Sequence, residues 1–211
     1  PVLGSLNSGM QVYRLKEERP AVFATVKAAL HLPQYLSFVL TGSYFTDITS
    51  IGCHTGLWNF EKNSYHQWVT EEQIGDKFPA ILPCTEIAGY TKELIPVGGG
   101  LHDSSAALIP YLASFTEPFV LLSTGTWCIT LNPFNTQPLT VGELKSDCLS
   151  YLSYKGSPVK ASRLFAGNEH EQQVKRLAAH YQKEPDYYKT VKVDPVLLAK
   201  YQPDYASLKE A

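Results

Sequence analysis

Two short stretches near the middle of the chain carry the residues that could do chemistry. The first, residues 94–108, predicts a short apolar strand, a glycine turn and then a helix that begins at Asp103. The second, residues 119–131, predicts two β-rich runs joined by Ser123-Thr124-Gly125-Thr126. An anionic side chain is favoured at a helix start by the helix dipole and the unpaired N–H groups. A small polar loop can hold an anion such as a phosphate.

These stretches supply two parts that phosphoryl transfer needs. One is a carboxylate that can accept a proton from an attacking hydroxyl, and the other is a loop of donors for the phosphoryl oxygens. Each has a simpler alternative, since Asp103 could be only a helix cap and the loop only a turn. The glycines at 98–100 follow neither the GxGxxG nor the Walker pattern, so no P-loop is predicted.

The run 95–108, followed by Ser123-Thr124-Gly125-Thr126-Trp127, resembles the middle of the FGGY-type carbohydrate kinases. This family includes the glycerol, xylulose, rhamnulose and fuculose kinases. The order and spacing resemble the family pattern G-x-x-D-x-x-A-A-L followed by S-x-G-T. A tryptophan directly after Gly-Thr is more similar to the deoxyhexulose kinases than to the glycerol kinases.

The resemblance implies a role for each matching residue. Asp103 falls on the catalytic base of the family, and Asp103 and His102 are expected on the sugar side of the site. Gly125 and Thr126 fall on the loop that contacts the nucleotide phosphates, with Ser123 and Thr124 nearby. The implied cofactors are ATP and Mg²⁺, and no metal-ligating residue is assigned within the chain.

The resemblance covers about residues 5–178 and implies an α/β fold, the actin-like ATPase (ribonuclease H-like) fold, in part. Residues 1–114 are expected to be the end of the N-terminal sugar-binding domain, and residues 115–211 the start of the C-terminal nucleotide-binding domain. The chain begins at Pro1 and is expected to be an internal part of a longer polypeptide. The Asp-Gly-Thr phosphate loop of the family is expected before it, and the adenosine motif after it.

The predicted function is ATP-dependent phosphorylation of a small sugar, such as a pentulose or deoxyhexulose. This chain alone is expected to be inactive. The sequence departs from the family at Gln11, where lysine is usual after Ser8-Gly9. The alternative is therefore a truncated or degenerate actin-fold module that serves only binding or structure.

Composition excludes several other classes. The 211 residues are 44% hydrophobic and 18% charged, with a formal net charge of −2, as in a soluble globular protein. That charge gives no reason to expect nucleic acid or a membrane surface, and no apolar run approaches the ~20 residues of a membrane helix. The four cysteines are widely spaced, as expected for reduced thiols of a cytoplasmic protein. A homo-oligomer is possible, and the expected ligands are a small sugar and ATP.

Local patterns predict the elements around these stretches. Helices are expected over 10–18, 21–30, 32–41, 103–114, 166–182 and 195–201, and a β-hairpin over 147–165. Residues 44–52 are interpreted as a solvated strand edge and turn. The alternative is that Thr46-Asp47 and Thr49-Ser50 resemble the T-D-x-S-x-A-S stretch that lies along the active-site cleft in the family. His54 and His66 are interpreted as ordinary polar residues. The aromatics Trp58, Phe60, Tyr65 and Trp68 are expected in the core.

Overall fold

A computed structural model describes residues 7–125 and 127–201 of the chain. Its contacts divide the chain into one unit that ends at Leu164 and a second that begins at Phe165. Both stretches with candidate chemistry belong to the first unit, although Thr126 lies outside the described residues. The predicted domain boundary at 114/115 lies inside the first unit and stays a prediction.

The described residues form helices and short strands, with four helices before the first strand. The α-helices are α1 (Ser8–Glu18), α2 (Pro20–Thr25), α3 (Leu32–Thr41), α4 (Ile48–Ile51), α5 (Gln67–Glu71), α6 (Asp103–Ser114), α7 (Val141–Lys145), α8 (Ala166–His180) and α9 (Pro195–Lys200). The strands are β1 (Trp58–Asn59), β2 (Ser64–Tyr65), β3 (Ile87–Tyr90), β4 (Pro96–Gly98), β5 (Leu121–Ser123), β6 (Cys128–Asn132), β7 (Cys148–Leu152) and β8 (Pro158–Leu164). Within the described part of the chain, 3₁₀ turns occur at Gly75–Lys77 and Pro185–Thr190.

The largest sheet is antiparallel, with the strand order β5-β6-β8-β7. The predicted 147–165 hairpin is confirmed, with Tyr151 opposite Val159. Gly156 has φ +77° in its turn, a conformation that glycine adopts without steric cost. One face of this sheet packs against α6, and Leu108 of that helix is 1% exposed. Because α6 is anchored on the sheet, its first residue, Asp103, is fixed in space.

A second core lies in the N-terminal part of the first unit. It is formed by Ile51, Leu57, Val69 and Ile74, each at most 1% exposed. The predicted core position of Trp58, Tyr65 and Trp68 is confirmed, because all three pack against this cluster. Phe60 instead lines a surface cleft beside it.

The helix predicted over 21–30 is wrong in its second half. The helix α2 ends at Thr25, and Val26 is already extended at φ −65°, ψ 118°. Tertiary hydrogen bonds explain the early end, because Lys77 donates from Nζ to the Val26 carbonyl and the Ala29 N–H donates to the Lys77 carbonyl. A chain segment held by a distant partner in this way cannot also complete helical hydrogen bonds.

The predicted solvated strand edge at 44–52 is also wrong. Residues 48–51 form the short helix α4, and its residues 49–51 are buried. Asp47 is the N-cap of α4 and is 1% exposed. Polar and apolar residues alternate here as they do in a strand, but in the fold they form a buried helical turn. The polar side chains of this turn lie inside the protein.

Helix α3 follows its prediction closely. It has Pro33 in its first turn and ends at Gly42, which takes the left-handed conformation at φ 75°. Among residues 7–125 and 127–201, no helix combines the length and the apolar character needed to cross a membrane. All four cysteines are free thiols.

Candidate active site

Asp103 is the first residue of α6, and its side chain is 94% exposed. Its Oδ1 atom accepts a hydrogen bond from the Ser104 N–H at 2.6 Å. The N-cap residue of the helix is His102, and no side-chain capping bond is formed there. The carboxylate therefore lies beside the positive end of the helix dipole while it stays accessible to a ligand.

His102 is the immediate neighbour of this carboxylate. Its Nε2 atom lies 3.2 Å from Asp103 Oδ1 and 3.0 Å from the Cys53 sulfur. Burial lowers the pKa of His102, although the charge of Asp103 opposes this shift. The tautomer of the neutral ring decides whether Nε2 donates to the Cys53 sulfur or accepts from its thiol. The hydrogen bond of His102 Nε2 is the one to the Cys53 sulfur, and the exposed carboxylate of Asp103 lies within ion-pair distance of the same nitrogen.

A group of uncharged side chains lies behind His102. The His54 ring nitrogen Nε2 is 3.1 Å from the Tyr151 hydroxyl, and the His102 ring lies 5.3 Å from the Tyr151 ring. Burial lowers the pKa of His54 to about 4 and raises the pKa of the Cys53 thiol and of Tyr151. These three side chains form one wall of the site, behind His102, and this wall is uncharged at ordinary pH. The sequence singled out His54 only as an ordinary polar residue, since no local signal shows which strand it will meet.

The glycine turn before Asp103 is held from α3. The Gln34 amide, 1% exposed, donates to the carbonyls of Gly99 and Gly100 at 3.1 and 3.0 Å. Gly100 has φ +65°, and a Cβ there would stand 2.8 Å from the Pro33 Cβ and 3.0 Å from its carbonyl oxygen. Only glycine fits this close approach without a shift of the backbone.

The small polar loop lies on the β5–β6 hairpin, as predicted. Ser123 ends β5, and Ser123, Thr124 and Gly125 are exposed. Among the described residues, a Cβ at Gly125 would meet nothing closer than the Trp127 carbonyl at 3.8 Å, so the space above this glycine is open on their side. Among the described residues, no hydrogen bond or ion pair joins this loop to Asp103.

A positive charge lies next to the hairpin. The guanidinium carbon of Arg163 is 5.4 Å from the centre of the Trp127 ring, and Arg163 Nη2 is 2.6 Å from Asp147 Oδ1. The carboxylate of Asp147 balances the positive charge of Arg163. In the described part of the chain, no group of three His, Cys, Asp or Glu side chains is placed to hold a metal ion.

The buried histidines predict a pH dependence of stability. In the unfolded chain, each imidazole takes up a proton near pH 6.5. In the folded chain, burial lowers the pKa of His31, His54 and His102, that of His54 to about 4 and with a further contribution from Arg163. Protons therefore bind the unfolded state first, and the free energy of unfolding falls as the pH drops below about 6.5.

This dependence can be measured as the urea midpoint at pH 7.5 and at pH 5.0. We expect a lower midpoint at pH 5.0 and a smaller difference in His54→Gln. The matched control is His170→Gln, which changes an exposed histidine of α8. Equal midpoints at the two pH values would contradict the prediction.

Two family models match the chain. Residues 2–110 match the N-terminal domain of the FGGY family of carbohydrate kinases, and residues 116–202 match the carbohydrate kinase FGGY C-terminal domain. The chain is 26% identical over 171 residues to a probable L-xylulose kinase of Haemophilus influenzae. That alignment covers 71% of this chain and 34% of the relative.

The chain is also similar in structure to solved carbohydrate kinases. A carbohydrate kinase from Novosphingobium aromaticivorans has a TM-score of 0.69 and 28% identity, over 81% of this chain and 40% of that one. A ligand-bound xylulose kinase from Lactobacillus acidophilus has a TM-score of 0.64 and 19% identity, over 88% of this chain and 43% of that one. The chain thus spans well under half of each relative.

The fold is a partial α/β fold of the actin-like ATPase type, the fold of the FGGY sugar kinases. With more than half of the chain matched by the N-terminal model alone, the chain belongs to the FGGY family of carbohydrate kinases. The predicted family and fold are confirmed.

Proposed function

We propose that this chain forms the central part of an ATP-dependent kinase of a small sugar. A hydroxyl oxygen of the sugar forms a bond to the γ-phosphorus of ATP, and the bond from that phosphorus to the β–γ bridging oxygen breaks. ADP leaves, and Asp103 takes the proton of the hydroxyl. The observation that carries the proposal is the exposed Asp103 carboxylate, which lies at the start of an anchored helix beside a neutral, buried wall.

In this proposal, His102 and Asp103 face the sugar. One oxygen of the Asp103 carboxylate lies 3.2 Å from His102 Nε2, and in this proposal the other oxygen faces the hydroxyl. The His102 side chain is 22% exposed, which leaves an edge of the ring open to the substrate. A base that is oriented before the substrate binds loses less entropy in the transition state.

The loop 123–126 would bind the phosphates of ATP. Its described residues are exposed, and the open space above Gly125 fits a phosphate group that approaches the backbone closely. Mg²⁺ would be held mainly by phosphate oxygens, because the described residues offer no cluster of three ligands. The bound ion would neutralise charge that develops on the transferred phosphoryl group.

We propose a ketose, such as a pentulose or a deoxyhexulose, as the substrate class. Support comes from the relative named as a probable L-xylulose kinase and from Trp127 after the Gly-Thr pair. The test is a coupled assay of the full-length kinase with ATP, Mg²⁺ and a panel of ketoses, with glycerol as the comparison. Phosphorylation of glycerol alone would overturn the substrate class, and absence of all sugar-dependent ADP release would overturn the activity.

One observation favours the second candidate, a module that only binds or folds. Gln11 stands in α1 where the family has lysine, beside a cleft that is also lined by Ser8 and His31. A reaction step that needs a positively charged side chain at this position is not supported, because the glutamine side chain is uncharged. The same ketose assay separates the two candidates, because a binding module would release no ADP.

Gly125→Val is expected to weaken ATP binding more than sugar binding. Among the described residues, a Cβ at this position meets nothing closer than 3.8 Å, so the effect of the valine is expected to come from blocking the approach of a phosphate. We expect KM for ATP to rise about tenfold or more, as for the loss of one or two charge-assisted hydrogen bonds. Val120→Ala, which changes an exposed side chain of the same hairpin region, serves as the control. A rise confined to the KM for the sugar would show that the loop does not bind the nucleotide.

A further inference from the structure

We propose that Asp47 and Thr49 form a buried hydrogen-bond relay that positions Asp103, by holding the backbone N–H of His102. The proposal rests on the proposed role of Asp103 as the base. In this relay, neither Asp47 nor Thr49 touches the substrate. Both are positioning residues, and their effect on the reaction passes through the backbone at the start of α6.

The relay has a fixed direction. The His102 N–H donates to Thr49 Oγ1 at 2.9 Å. The Thr49 hydroxyl has one proton, and it donates this proton to Asp47 Oδ1 in a short hydrogen bond. Because a carboxylate can only accept, the hydroxyl must accept from His102 and donate to Asp47, and no other orientation satisfies both contacts.

The acceptor at the end of the relay is held rigidly. Asp47 Oδ1 also accepts the backbone N–H groups of Thr49 and Ser50, at 2.9 and 3.1 Å. Asp47 is 1% exposed and Thr49 is fully buried. The oxygen therefore has three fixed donors from the first turn of α4, and water does not compete for them.

The energetic cost of this arrangement is large for a carboxylate that only caps α4. The second oxygen of Asp47 is buried and has no hydrogen-bond partner among the described residues, and burial raises the pKa of the group. A buried carboxylate with an unsatisfied oxygen is expensive, and α4 has only four residues. The contact that this group supports outside α4 is the one through Thr49 to His102.

The relay fixes the start of α6 from one side. On the other side, Gln34 holds the carbonyls of Gly99 and Gly100. The backbone between these contacts leads directly into Asp103, so the backbone that carries its carboxylate cannot shift without breaking one of them. A misplacement of about 1 Å can lower a rate by ~10²-fold.

The test compares Thr49→Val, Thr49→Ser and Ser50→Ala in the full-length kinase. Valine keeps the shape of threonine but removes the relay, whereas serine keeps the hydroxyl. Ser50→Ala is the matched control, because Ser50 lies next in α4 and its buried hydroxyl has no hydrogen-bond partner among the described residues.

We expect Thr49→Val to lower kcat by about 10- to 100-fold with less than about a threefold change in the KM for the sugar. Thr49→Ser should keep kcat within about threefold of the wild type, and Ser50→Ala should be equally mild. Melting temperatures are measured on all three variants. A merely structural role of Thr49 predicts a loss of kcat that follows the loss of stability, without rescue by serine, and this outcome would overturn the relay.

A second variant keeps the test decisive if Thr49→Val does not fold. Asp47→Asn keeps a neutral acceptor for the relay but removes the charge, and charge-assisted hydrogen bonds are about twice as strong as neutral ones. We expect kcat to fall about three- to tenfold in this variant. An unchanged kcat would overturn the proposal.

Failure of the relay and failure of the base assignment are distinguishable. If Asp103→Asn is inactive while Thr49→Val has normal turnover, the relay is wrong and the base stands. If Asp103→Asn is active, the proposed function of Asp103 is wrong, and the relay proposal falls with it.

Discussion

Asp103→Asn in the full-length kinase is expected to lower kcat by about 10²- to 10⁴-fold, the usual effect of losing a general base. The amide has the shape of the carboxylate and keeps an oxygen for the Ser104 N–H. It cannot take up a proton at ordinary pH, so the attacking hydroxyl would keep its proton. Because the contacts of the site are otherwise kept, sugar binding should be largely unchanged.

The measurement is steady-state turnover together with the affinity for the sugar. Asp76→Asn is the control, since it makes the same change at an exposed carboxylate of the Gly75–Lys77 turn. Near-normal turnover of Asp103→Asn would end the assignment of the base. A lost affinity for the sugar with unchanged kcat would give Asp103 a binding role instead.

The 211-residue chain by itself is expected to show no sugar-dependent ATP hydrolysis and no sugar phosphate formation. Phosphoryl transfer depends almost wholly on positioning and on charge stabilisation across a closed cleft. The chain carries the proposed base and one phosphate loop, but the Asp-Gly-Thr motif of the family does not occur in its sequence. A single exposed hairpin loop would hold ATP weakly, because its hydrogen bonds replace equally good ones to water.

The same chain is expected to self-associate. Helix α3 exposes Leu32, Leu36, Val39 and Leu40, each by more than half. Contiguous apolar surface of this kind is usually covered by another part of a protein. A coupled assay with ATP, Mg²⁺ and a panel of ketoses, run beside light scattering, tests both expectations. Robust turnover by a monodisperse monomer would contradict them and would show that the chain is a complete enzyme.

The sequence predicts an element well where its signal is local. Helix α3 has a proline in its first turn and Gly42 at its end, and the β7–β8 hairpin has Lys155-Gly156-Ser157-Pro158 at its turn. The sequence predicts Asp103 at the start of α6 for the same reason, because a glycine turn precedes it and an apolar run follows. In each case the deciding residues lie within a few positions of the element.

The sequence fails where a distant residue decides. The end of α2 is set by Lys77, about fifty positions further on, and no pattern near Val26 reveals this contact. The role of Thr49 depends on His102, which becomes its neighbour only in the folded chain. The sequence shows that small polar residues cluster at 46–50. Tertiary packing decides whether this cluster faces water or the protein interior, and in the fold it is buried.

The contacts that hold the start of α6 also bear on when the site forms during folding. Thr49 and His102 are 53 positions apart, and Gln34 is 65 and 66 positions from Gly99 and Gly100. Closing such long loops costs entropy before the contacts compensate for it, so contacts of this range tend to form late. Helix α6 can form from its own sequence, but the orientation of its first carboxylate is completed only when the distant segments dock. A partly folded chain can therefore have native helix content and still have an unformed site.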